Sequence, residues 1–278
     1  MPFDLVRTLL APAALAALAP AALAAAITAS AWSEDAPVYS PAQLRSDFDA
    51  LYETMQSAHY DLFAATPRSV MDQRHAEMMR ELDRPMRREE AAVYFQTFLA
   101  EARHAHARID FPFELWSEWR ESGGGGLLVD IRIRDGRGWV ENHQTGHPAL
   151  RRGDEILALN GEPNAIWLNR FTRHLSAETP TMAYALLESY LPLVFWLEYP
   201  AAQNASLTVR HTDGSVEHLQ LPLLSRADME NVPASNSPAF NLPEFDARML
   251  DGGIGYLRPG PFYNTEPGGN PWDPASYV

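Results

Sequence analysis

The chain has 278 residues, no cysteine, and 36 acidic against 22 basic residues, for a formal net charge of −14. That length holds two modest domains. The charge argues against nucleic acid and anionic lipid, whose phosphates need a positive surface. The missing cysteine excludes disulfides, thiolate nucleophiles and cysteine metal sites. All 22 basic residues are arginine, so the chain has no lysine.

Residues 1–31 have the form of a signal peptide. Arg7 precedes an uncharged run rich in Ala and Leu over 9–27, and Ala29-Ser30-Ala31 offers an A-x-A cleavage site before Trp32. The expectation is an exported bacterial protein, periplasmic or secreted, with no stable membrane span after cleavage. An uncleaved anchor is the competing reading, because the apolar run is near spanning length.

Residues 40–108 read as an N-terminal helical domain. Ser40-Pro41 supplies a cap and a first-turn proline. Leu44, Phe48, Leu51 and Met55 then recur on one helix face. A second helix is expected over 68–83, with Val70, Met71, Met78 and Leu82 apolar. A third opens at Glu89-Glu90, where negative charge suits the helix dipole, and continues through Val93, Phe95, Phe98 and Leu99. Between 108 and 126 periodicity dissolves into an aromatic patch of Phe111, Phe113, Trp116 and Trp119, whose plain reading is packing. Gly123 to Gly126 is a run of four glycines. No Gly-Lys-Ser/Thr follows, so it is no phosphate loop. A hinge, or a loop that lets two backbones approach closely, suits it better.

From residue 127 the period changes to two. Leu127, Val129, Ile131 and Ile133 alternate with Leu128, Asp130, Arg132 and Arg134, a half-buried strand. Asp135-Gly136 turns the chain into a partner strand at Trp139-Val140. Next come turn chemistry at Arg152-Gly153-Asp154, a short apolar strand over 156–159, a tight turn at Asn160-Gly161, and a helix over 164–175. Thr179-Pro180 caps a further helix that meets Pro192, a residue able to kink it. Strands at 207–209 and 216–221 flank Thr212-Asp213-Gly214 as a hairpin. Residues 225–247 are polar and proline-rich, a linker, and Gly253-Ile-Gly-Tyr-Leu-Arg258 begins a new apolar strand.

Gly153-Asp154, Ile156 and Leu159-Asn160-Gly161 resemble the G-D-x-I-x-x-I-N-G segment of PDZ and PDZ-like domains. The order of signal peptide, helical domain, PDZ-like domain, linker and Ile254-Gly-Tyr-Leu-Arg258 is similar to the tail-specific, or C-terminal processing, S41 serine peptidases. The resemblance implies an α+β chain: an N-terminal helical domain (40–108), a PDZ-like α/β domain (123–224), a linker (225–247), and the first strand of a truncated peptidase core (248–278). It implies a polypeptide substrate or peptide C-terminus as partner and no cofactor. The family's Asp-Gly-His-Thr segment corresponds here to His104-Ala-His-Ala107, where only His106 matches. The family's Ser-Lys dyad is absent because there is no lysine, and no G-x-S-x-G elbow occurs. The catalytic core is therefore expected downstream of residue 278, and no catalytic residue is assigned within the chain.

Gly125, Gly126, Leu127 and Leu128 resemble the loop with which PDZ domains hold a peptide's terminal carboxylate on backbone N–H groups. A plain hinge before a strand is the rival reading. His104 and His106 are spaced poorly for joint metal ligation on a helix and have no third ligand nearby, so no metal is assigned. Glu34-Asp35 and Glu89-Glu90 read as solvated faces, and Asn204-Ala-Ser206 as a sequon without use in a bacterial chain. The chain as a whole reads as the substrate-presenting part of a peptidase. The alternative is a non-catalytic exported PDZ-like peptide-binding adaptor.

Overall fold

The structure, a computed structural model, describes residues 37–229 and 246–258. The expected signal segment, most of the expected linker and everything after Arg258 lie outside the described residues. The chain divides into two compact units. The first comprises the described residues through Trp119 together with Arg173–Ala183 and Leu193–Gln203; the second comprises Arg120–Thr172, Tyr184–Pro192 and the described residues from Asn204 onward.

The first unit is built on β1 (Val38–Tyr39), α1 (Pro41–Ala58), α2 (Arg68–Glu81), β2 (Met86–Arg87) and α3 (Arg88–Glu101), with β1 paired antiparallel to β2. A capping box starts α1: the Ser40 hydroxyl accepts from the Gln43 amide, and the Gln43 side chain accepts from the Ser40 N–H. The buried stripe of α1 is Leu44, Phe48, Tyr52 and Met55. Tyr52 thus replaces the expected Leu51, because its ring packs edge-on against Phe98 while its hydroxyl donates to Asp72 Oδ1 at 2.7 Å. On α2, Met71 and Met78 are fully buried, but Val70 points outward at 48% exposure. On α3, all four expected apolar residues are buried, Phe98 completely.

Two details of this unit were not legible in the sequence. A helix, α4 (Phe113–Glu121), occupies the stretch where periodicity dissolved. Its Trp116 and Trp119 stack 5.4 Å apart, and each meets Trp196 in a tilted contact, at 5.5 and 5.9 Å. A buried polar set also ties distant segments together. Gln96 donates to the His174 carbonyl and to Ser176 Oγ and accepts from the Ile109 amide, and His174 Nε2 lies 2.6 Å from Glu198 Oε1. The side chains of Gln96 and Ser176 and the facing atoms of His174 and Glu198 find partners there, as buried polar groups generally do, whereas His174 Nδ1 has none.

The second unit is an antiparallel sheet in the order β3-β4-β5-β7-β8. Its strands are β3 (Val129–Arg134), β4 (Arg137–His143), β5 (Glu155–Leu159), β7 (Asn204–Arg210) and β8 (Val216–Pro222), and β6 (Glu162–Pro163) pairs with β5 off the main path. The β3–β4 hairpin turns through Asp135 and Gly136, at φ 51° and 70°, the left-handed conformations that Asp-Gly adopts readily. Val129, Ile131 and Ile133 point inward, none more than 7% exposed. Val129 and Ile131 line one apolar space with Trp167 of α5 (Asn164–Thr172) and Leu191 of α6 (Pro180–Glu198), and Phe171 of α5 and Leu187 of α6 are also buried. Helix α6 runs on through Pro192 to Glu198. The short helix α7 (Arg226–Met229) follows β8. The hairpin of β9 (Asp246–Leu250) and β10 (Ile254–Arg258) closes the described chain. Among the described residues no helix is long and apolar enough to cross a membrane.

Candidate functional site

Among the described residues strand β3 is an edge strand, bonded to β4 on one side only. Its preceding loop is pinned rather than hinged. Gly126 and Leu224 exchange backbone hydrogen bonds at 2.9 and 3.0 Å. Gly125 sits so close to Leu223 that a Cβ there would lie 2.6 Å from its Cβ and carbonyl oxygen. Glycine at 125 is required for backbone approach, the second of the two roles open from sequence. Arg120 secures the same crossing. It is 6% exposed and donates to the carbonyls of Gly124 and Leu224, at 2.8 and 2.5 Å. Burial, and then neighbouring Arg226, pull its guanidinium below the ordinary arginine value. Nothing in the sequence distinguishes this arginine from the other 21.

This placement bears on the four residues read as a carboxylate loop. The Gly126 amide is already spent on Leu224, Leu127 is buried at 2% exposure, and the Leu128 carbonyl accepts from the Gln144 amide. Gly125 is held against Leu223.

Farther along β3 the outward-facing amide of Ile133 donates to Glu188 Oε1 at 2.7 Å. The other oxygen of that carboxylate receives Arg132 Nη1 at 2.5 Å. Glu188 lies on α6, and its side chain is only 10% exposed. A carboxylate thus already sits on the edge of β3, held by one backbone amide and one guanidinium. Beneath it the apolar space between Val129, Ile131, Ile156, Trp167 and Leu191 shrinks to a cavity of about 10 Å³, at or below the volume one water needs.

The Gly153-Asp154 and Asn160-Gly161 motif turns out to be architectural. Asp154 is 1% exposed; one oxygen accepts from the Arg151 amide at 2.8 Å and the other lies 2.9 Å from His211 Nδ1. His211 Nε2 lies 3.2 Å from Glu217. The bond to Asp154, and then that to Glu217, raise the imidazole's pKa above its ordinary value. Asn160 and Gly161 both take positive φ, and the Asn160 side chain accepts from the Ser206 amide at 2.9 Å. These residues staple loops to the sheet.

His104 stacks on His59 with ring centroids 4.0 Å apart and meets the Leu62 carbonyl at 3.1 Å, while His106 is exposed. Among the described residues no group of three or more potential ligands could hold a metal ion.

No family model matches the chain, and no curated protein matches it. Its structural neighbours include CPAF and the photosystem II D1 C-terminal processing protease, at low identity. Mature CPAF superposes with a TM-score of 0.42 at 11% identity, over 78% of this chain and 46% of that one. Mature CPAF complexed with lactacystin gives 0.40 at 12%, over 78% and 47%. The photosystem II D1 C-terminal processing protease gives 0.28 at 17%, over 64% and 43%. The chain spans less than half the length of each of these structures. Likeness of this grade carries no residue-by-residue correspondence.

Proposed function

We propose that this chain is the N-terminal, substrate-presenting part of an exported serine-type peptidase of the S41 kind, and that its sheet unit, PDZ-like in role, engages polypeptide at the edge of β3. The observation that carries the reading is the Glu188 carboxylate seated on the Ile133 amide and Arg132. It occupies the place an incoming strand would take and offers the group a peptide C-terminus would offer. An added peptide would displace Glu188, and its terminal carboxylate would inherit the same two donors. The filled space under β3 would have to open for a substrate side chain, so engagement would be coupled to a shift in α6 packing. Hydrolysis would require a nucleophile and a lysine base on residues outside this sequence, which contains no lysine.

The test is titration of the 278-residue chain with short peptides bearing free or amidated C-termini, for the wild type and for Glu188→Ala. Binding should favour the free carboxylate and should tighten in the variant, because the internal competitor is gone. Equal affinity for both peptide forms would remove the capture role. The lysine-free composition also favours a second reading, a non-catalytic peptide-binding adaptor. Peptide turnover by the protein encoded by the full natural reading frame would eliminate the adaptor, and turnover by this chain alone would eliminate the Ser-Lys assignment.

A further inference from the structure

The outer face of the sheet, opposite the core, carries a feature at odds with the chain's acidic balance. Arg132, Arg134, Arg137 and Arg152 surround Trp139 in an open cleft of about 620 Å³, whose acidic lining residues are Asp135 and Glu141. That volume falls within the usual range for ligand sites, roughly 300–1,000 Å³. Cross-strand register explains the clustering: Arg132 stands opposite Trp139, and Arg134 stands opposite Arg137. Like charges directly opposite one another on adjacent strands destabilise a sheet, so folding gains nothing from the second pair.

The pairing within the cleft is uneven. Arg152 meets Glu141 at 2.5 Å and Arg137 meets Glu155 at 3.5 Å, yet both arginine side chains remain more than 60% exposed. Each guanidinium has five N–H donors, so both keep donors for a ligand. Arg134 is exposed and has no carboxylate partner among the described residues.

We infer that this cleft is a binding site for an acidic segment of polypeptide, with carboxylate side chains on Arg134, Arg137 and Arg152 and an apolar side chain over the half-buried Trp139. Arg132, Arg137 and Arg152 meet Glu188, Glu155 and Glu141, so the cleft's positive charge without a carboxylate partner among the described residues is that of Arg134, with the exposed spare donors of Arg137 and Arg152 beside it. That suits one or two carboxylates better than a polyphosphate, and a chain of net charge −14 repels nucleic acid elsewhere. The indole floor offers contact area that a free inorganic anion cannot use. The site lies on the face of β3 and β4 rather than on the β3 edge; Arg132, held by Glu188, borders both, and the ligand contacts of the cleft are those of Arg134, Arg137, Arg152 and Trp139.

The experiment uses the 278-residue chain and a pair of short peptides, acetylated and amidated, that differ only in carrying two glutamates or two glutamines at alternate positions. Blocked ends remove any contribution from terminal carboxylate capture. Calorimetry at low and high salt gives affinities, and the Trp139 indole N–H resonance, assigned with Trp139→Phe, reports location. The Glu peptide should bind at least about tenfold tighter than the Gln peptide, as expected for charge-assisted hydrogen bonds. It should shift the Trp139 resonance and weaken as salt rises. Arg134→Glu, at an exposed position, should abolish that preference while leaving the thermal melt in place. Equal binding of the two peptides, an unmoved Trp139 resonance, or an unaffected Arg134→Glu protein would each overturn the site. Tighter binding of pyrophosphate or of a short oligonucleotide than of the Glu peptide would overturn the ligand class.

Discussion

Strand β3 and strand β10 read alike in the sequence and end in opposite surroundings. Both are short apolar strands entered from a glycine turn or glycine loop. In β3 the inward residues Val129, Ile131 and Ile133 are 3%, 1% and 7% exposed. In the β9–β10 hairpin Met249, Ile254 and Leu257 are 69%, 61% and 65% exposed. An isolated two-stranded hairpin is marginal in water, and this one presents apolar side chains with nothing over them among the described residues. The contrast teaches that alternation and β-branching specify a strand but not its cover. The cover of β3 comes from α5 and α6, whereas β10 has only β9 beside it among the described residues.

That contrast can be broken most forcefully at Ile131. Ile131→Ala should cost about 2–5 kcal/mol by urea unfolding, the usual range for emptying a core position. A loss near zero would mean the sheet is not packed as described. Gly125→Ala comes next. A methyl group driven against Leu223 should cost about 1–3 kcal/mol and expose Arg120, measurable as a lower melting temperature and faster amide exchange at Gly126. Glycine serving merely as a hinge would tolerate the change.

His211 sharpens the comparison through pH. Its folded pKa is raised by Asp154 and Glu217, so the proton is bound more tightly in the folded than in the unfolded chain. The stability it contributes is complete below its ordinary value of about 6.5 and is lost as pH rises through the higher folded value. The melting temperature of the wild type relative to His211→Asn should therefore fall across that interval. A difference independent of pH would show that the imidazole does not titrate against those carboxylates. The smallest effect is expected on the other side of the contrast. Leu257→Ser should change stability by no more than about 0.5 kcal/mol while reducing binding of a hydrophobic dye. A large destabilisation there would mean that the hairpin face is covered after all.

Much of the architecture was legible because it rests on local signals. The Ser40 cap, the Asp135-Gly136 and Asn160-Gly161 turns, and the alternation of β3 each follow from a few neighbouring residues. Helix α4 was hidden because it is only nine residues long and its aromatic residues obscure the period. Pro112 before it, Glu114 in its first turn and Arg120 in its last were the signals available. Strand β9 fell partly within the expected linker. It takes its form from pairing with β10, which a strand-length window does not contain.

The candidate site was less legible for the same reason. Gly125 and Gly126 announce a close approach, but not that Leu223 and Leu224 are what approaches. Glu188 is a polar residue on a helix, separated from Ile133 by 55 positions, and only the folded chain brings the two together. The arginine cleft likewise depends on strand register, since Arg132, Arg137 and Arg152 belong to separate runs of the sequence.

Glu188 has one more effect, on how copies of this protein behave when crowded. An uncovered strand border invites a neighbouring molecule to continue the sheet, the usual first step toward aggregates. By occupying the Ile133 amide with a charged group, the helix makes that border repel its own kind. Light scattering at rising protein concentration should therefore stay flat for the native sequence, and Glu188→Ala should turn the border into a site of self-association.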